Sequence, residues 1–222
     1  MKYGTCPKKL EARSQTVIQA FRNLTGRESI LHQYWGLAGQ MFDSTGSLQP
    51  MCELNHVLQA GLLSDAQHFH TVECNETLHT RNKEAVARTN LRPHLYHGFI
   101  HEVLEEALIA GTLRPSLVNL DTLHEPRLAA RLLGQVLHLL NYAPGPKVVV
   151  VNTIIETPRR GRKSSLDYLA SALQADPFCQ RQLSRGWLDS TLGYVYKGTG
   201  NTNTTMGTAI FYQPYMEAAC SV

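Results

Sequence analysis

The chain has 222 residues, 43% of them hydrophobic and 18% charged, which is enough apolar material for one sizeable core and suggests a single domain over residues 1–222. No stretch reaches the roughly eighteen uncharged apolar residues of a spanning helix, and the polar start from Lys2 to Arg13 lacks a signal-peptide core, so a cytoplasmic location is expected. A formal charge of +3 is too mild to call for nucleic acid on composition alone.

In chain order, Leu10, Val17, Ile18 and Phe21 are spaced as on a helix that ends before Thr25 and Gly26, giving an appended N-terminal helix within residues 1–28. The stretch "SILHQYWGLAGQMF" is long enough for a helix, but Gln33 to Leu37 also reads as a strand running into Gly36 and Gly39. After the turn-rich "DSTGSLQP", residues 51–61 read as a helix stopped by Gly61. "HFHTVE" alternates like a short strand over 68–73, and Asn75 is placed to cap the helix after it. "LYHGF" at 95–99 is the next strand, followed by the helical "IHEVLEEALIAG", in which Gly111 takes the usual C-terminal position.

"SLVNLD" supplies a further strand, and Pro126 suits the first turn of a helix reaching about Leu140. "KVVVVNTII" at 147–155 is a continuous β-branched run, the pattern of a strand buried on both faces at the centre of a parallel sheet. Helices are expected from about Ser165 to Leu173 and from Phe178 to Arg185. "TLGYVYKG" and "TAIFYQ", joined by the polar "TGNTNTTMG", read as a terminal antiparallel hairpin. Strands alternating with helices predict an α/β architecture of three layers, a mostly parallel sheet with helices on both faces.

This order of elements resembles the Rossmann-like fold of class I S-adenosylmethionine-dependent methyltransferases, over residues 30–213. The resemblance implies S-adenosylmethionine as cofactor and methyl transfer as reaction, and it gives meaning to three local sites. Gly36 and Gly39 of "YWGLAGQ" would supply the tight turn that admits the cofactor to the backbone, although two glycines serve close helix packing equally well. Glu73, at the end of "HFHTVE", stands where a carboxylate accepts both hydroxyls of a ribose; an exposed acid favoured by a helix dipole is the plainer alternative. Gly98 and Phe99 fall where the family contacts adenine, commonly through an acid or amide, with Phe99 here offering a stacking surface or a core side chain.

In "LVNLD", Asn119 and Asp121 project from one face, two residues apart, toward the place where donor and acceptor would meet. The resemblance implies that they orient the acceptor as catalytic residues; Asp121 as a turn former and Asn119 as a loop tie weigh about as much. The prolines and aromatic residue of the amino-methylating DNA enzymes are absent from "NLDT".

One dense charge feature remains. Arg159, Arg160, Arg162 and Lys163 follow the central strand, and guanidinium groups pair with phosphates, so this loop suggests a nucleic-acid backbone as partner or else a solvated surface. The alternative function is accordingly a non-catalytic binding protein of the same fold that uses the basic loop on nucleic acid or a protein partner. Metal binding is not expected: His68 and His70 alternate near Glu73, Cys74 and His79, but without a second ligand pair at recognisable spacing, and no Cys-x-x-Cys occurs among the five cysteines.

Overall fold

The computed structural model describes residues 15, 17–23, 32–36, 53–121, 126–156, 165–197 and 204–214. Among the described residues, seven strands form one sheet: β1 Tyr34–Gly36, β2 Phe69–Glu73, β3 His94–His97, β4 Leu117–Asp121, β5 Lys147–Glu156, β6 Leu188–Lys197 and β7 Thr204–Gln213. Their spatial order is β3-β2-β1-β4-β5-β7-β6. The pairs among β1 to β5 are all parallel, whereas β7 runs antiparallel to both β5 and β6. The expected terminal hairpin is therefore present, with its second strand inserted between β5 and β6.

The helices follow the order expected from the sequence. A helical segment at 17–23, here α1, precedes α2 Glu53–Gln59, α3 Glu76–Ala87, α4 Ile100–Ile109, α5 Pro126–Leu140, α6 Ser165–Ala175 and α7 Pro177–Leu183. Local chemistry explains several boundaries. Asn75 Oδ1 accepts the Leu78 N–H at 3.0 Å and caps α3, and Gly61 and Gly111 adopt φ of +68° just beyond α2 and α4. Phe99 has no capping oxygen, so the Glu102 carboxylate reaches back to the Phe99 N–H at 3.4 Å.

Alternation along the strands sorts the core into two sides. Trp35, Val72, Val118, Leu120, Val149 and Val151 pack with α4, α5, α6 and α7, while Tyr34, Phe69, Leu117, Val148 and Val150 pack with α1, α2 and the Leu62–Ala66 turn. Val148 to Val151 are fully buried, as the β-branched run predicts for a strand covered on both faces. Burying such side chains contributes about 1.5–3 kcal/mol each against exposure, which is why this run forms the middle of the sheet.

One expectation needs correcting. His68 belongs to a 3-10 turn, Ala66–His68, not to the strand, so it does not alternate with His70 on one face. His70 instead is buried and stacks between Trp35 and His94, with ring centroids 4.2 and 4.6 Å away.

Candidate functional site at the carboxyl edge of the sheet

The five parallel strands end on one edge, and their last residues are Gly36, Glu73, His97, Asp121 and Glu156. Loops and helix N-termini meet at such an edge, which makes it the ligand face of open α/β sheets. By strand alternation Gly36, Glu73, His97, Asn119, Asp121 and Asn152 share the face packed against α1, α2 and α3.

The inner part of this edge is a buried chain of hydrogen bonds. Asn119 Nδ2 donates to Glu53 Oε1 at 2.7 Å and to the Tyr34 hydroxyl at 3.2 Å. Asn152 Nδ2 donates to Asn119 Oδ1 at 3.0 Å, and the Thr208 hydroxyl donates to Asn152 Oδ1 at 2.8 Å. Asn119 and Asn152 are each 1% exposed, so the chain lies beneath the edge rather than on it. Both amide hydrogens and the carbonyl of Asn119 are engaged, and that side chain holds α2, β1, β4 and β5 together. Asp121, two residues on, is only partly buried and pairs in register with Asn152.

Gly36 has an internal reason to be glycine. A Cβ there would lie 2.9 Å from Cε1 of Tyr34, whose ring folds along the strand toward Asn119. A ligand can use Gly36 through its backbone alone. Gly39 lies outside the described residues, as do Arg159, Arg160, Arg162 and Lys163.

The outer part of the edge, on β2 and β3, is open. Glu73 is partly buried; burial pushes its carboxyl above the ordinary value, while the Asn75 and Cys74 N–H groups and nearby His97 pull the other way. Its Oε1 accepts the Asn75 N–H at 2.8 Å. Gly98, at φ +142°, turns the chain out of β3, and its N–H donates to the Glu73 carbonyl at 3.2 Å. Only glycine enters that conformation readily. Phe99 follows and is 58% exposed, so it is a surface ring beside α4 rather than a core side chain. His97 faces Glu73 across the register, and the His79 ring of α3 lies 5.3 Å from the His97 ring.

The structure thus brings Glu73, Gly98 and Phe99 to one open rim, and Gly36, Asn119 and Asp121 to the adjoining inner edge. Sequence reasoning missed Glu53, Tyr34, Asn152, Thr208 and His97, and weighed His79 only as part of a metal cluster. Asn152 was detectable by the argument used for Asn119, since it too is an amide near the end of an apolar strand. Glu53 and Thr208 carried no local signal. Among the described residues, no group of three or more His, Cys, Asp or Glu is arranged to hold a metal ion, and no helix is long and apolar enough to cross a membrane.

No family model matches the sequence, and no curated protein matches it. The fold does have solved counterparts. N-methyltransferase NodS from Bradyrhizobium japonicum WM9 superposes with a TM-score of 0.51 at 9% identity, over 95% of this chain and 98% of NodS. TYW2 of M. jannaschii, in complex with AdoMet, gives 0.53 at 9% identity over 96% of this chain and 78% of TYW2. TrmN from Thermus thermophilus gives 0.53 at 12% identity; there the match covers 94% of this chain but 52% of TrmN, about half its length. The chain has the Rossmann-like fold of the class I S-adenosylmethionine-dependent methyltransferases.

Proposed function

We propose that this protein binds S-adenosylmethionine across the carboxyl edge of β1, β2 and β3 and transfers its methyl group to an acceptor beside β4. The observation that carries the reading is the Glu73 carboxylate at the end of β2, partly exposed and oriented by the Asn75 N–H. Its two oxygens suit the paired hydroxyls of a ribose, and the exposed Phe99 ring suits a stacked adenine. TYW2 and the Bacillus cereus O-methyltransferase, solved with AdoMet and SAH respectively, support the same ligand class.

When bound, S-adenosylmethionine supplies an electrophilic methyl on a sulfonium, open to direct displacement. The chain's own contribution is placement: Glu73 and Phe99 hold the nucleoside, Gly36 and Gly98 offer backbone, and Asp121 faces the acceptor side. Asn119 and Asn152 act beneath the edge as positioning residues that fix the end of β4.

A methyl acceptor of nucleic-acid character is favoured by the basic residues 159–163, which join the end of β5 at Glu156 to the start of α6 at Ser165. Changing Arg159, Arg160, Arg162 and Lys163 to alanine is expected to reduce retention on nucleic acid at low salt; unchanged retention removes this acceptor class. The non-catalytic alternative is favoured by the Tyr34 ring over Gly36 and by the full engagement of Asn119. Calorimetric titration with S-adenosylhomocysteine separates the two. The enzyme reading expects saturable binding, and no heat at millimolar ligand with demonstrably folded protein would falsify it.

A further inference from the structure

The layer formed by α4 and α5 has an outward face that methyl transfer does not use. Val103 and Leu104 of α4, and Leu133 and Leu137 of α5, turn into the core. On the opposite side, Glu102, Glu105 and Ile109 recur along α4, and Leu128, Arg131 and Gln135 along α5, at the spacing of an outward stripe. Ile109 is 81% exposed, Leu128 47%, and Tyr142, in the turn after α5, 61%. These are three of the five large apolar side chains found exposed among the described residues, so this layer is where uncovered apolar surface collects.

The charges on the same face are sorted by helix. Glu102, Glu105 and Glu106 lie in the first two turns of α4, Arg127 and Arg131 in the first two turns of α5, and all five are exposed. Both helices leave parallel strands, so both start at the carboxyl edge and the two sets stand at about the same height. Among the described residues, none of the five forms an ion pair.

We propose that this face is the contact between two copies of the chain, related by a two-fold axis running along the helices, so that α4 of each copy lies against α5 of the other. That operator brings the acids of one copy to the arginines of its partner twice over, and it covers Ile109, Leu128 and Tyr142 of both. An axis across the helices would instead set the charged ends against the apolar ones. A nucleic acid or an anionic membrane fits less well, because the acids of α4 would face its phosphates. The apolar side chains supply the attraction and the charges fix the orientation.

The test is sedimentation velocity of the full chain from roughly 1 to 100 μM, where monomer is expected to give way to dimer. Glu105→Arg and Arg131→Glu each place like charges together at both symmetric contacts, and each is expected to weaken self-association by about tenfold or more. Mixing the two variants in equal amounts is expected to restore a dimer. In that heterodimer the introduced arginine meets the introduced glutamate, and the native Arg131 of one copy meets the native Glu105 of the other. Ile109→Lys, at a position too exposed to matter for folding, is expected to weaken the dimer by a similar factor. Circular dichroism checks that each variant is folded. A monomer throughout the concentration range, a dimer that neither charge reversal weakens, or a loss that mixing does not repair would each overturn the proposal, and none of these outcomes bears on the methyl-donor reading.

Discussion

The two halves of the carboxyl edge are built on opposite principles. Over β1, β4, β5 and β7, polar side chains are sealed in and saturate one another, with Asn119 accepting from Asn152 and Asn152 from Thr208. Over β2 and β3, Glu73, His97 and Phe99 are left partly or largely open. A polar residue at the end of a buried strand therefore has two uses, and burial distinguishes them: the inner set stabilises geometry, the outer set is available to a ligand. The difference also explains why an amide rather than an acid occupies position 119. An amide both donates and accepts, so it can link two neighbours in a desolvated chain at no net charge.

The largest expected effect comes from breaking the inner half. Asn119→Ala removes one buried hydrogen-bond partner from each of Asn152, Tyr34 and Glu53, and should lower folding stability by about 3 kcal/mol, read as a shift in urea midpoint. A loss below about 1 kcal/mol would mean that the edge is wet and the contrast overstated.

Next comes His70, which lies on the opposite face of β2. Burial, then His94 and His68, lower its pKa from 6.5 to about 3. The unfolded chain binds the proton first as pH falls, so this group's contribution is full above about pH 6.5 and is lost progressively down to about pH 3. The total is on the order of a few kcal/mol. His70→Phe keeps a ring between Trp35 and His94 and should flatten the acid limb of stability against pH; an unchanged limb would assign acid sensitivity elsewhere.

Thr208→Val removes only the terminal hydroxyl of the inner chain and should cost about 1 kcal/mol. Glu73→Ala sharpens the comparison from the other side. It should change stability by less than about 1 kcal/mol yet abolish measurable S-adenosylhomocysteine binding; a large stability loss would place Glu73 with the structural set.

The order and type of the elements were legible in the sequence because apolar periodicity, capping residues and glycine stops are local signals. Asn75, Gly61, Gly111 and Pro126 each act where the sequence predicts. Strand order was not legible, since nothing local says that β7 inserts beside β5. The site was legible in part. Glu73, Gly98 and Phe99 share a rim, but Asn119 is engaged by partners 33 and 66 residues away, and no window of sequence contains that pairing. Gly36 shows the same limit, because its constraint is the ring of Tyr34 folded back along its own strand.

The strand order carries a consequence for biosynthesis. Among the described residues β6 pairs with β7 alone, and β7 follows it in the chain. A nascent polypeptide that has emerged only through Lys197 has no berth for β6, and the flank of β5 stays bare until the segment after it leaves the ribosome. Premature termination between the two would forfeit both strands at once and leave an aggregation-prone β edge.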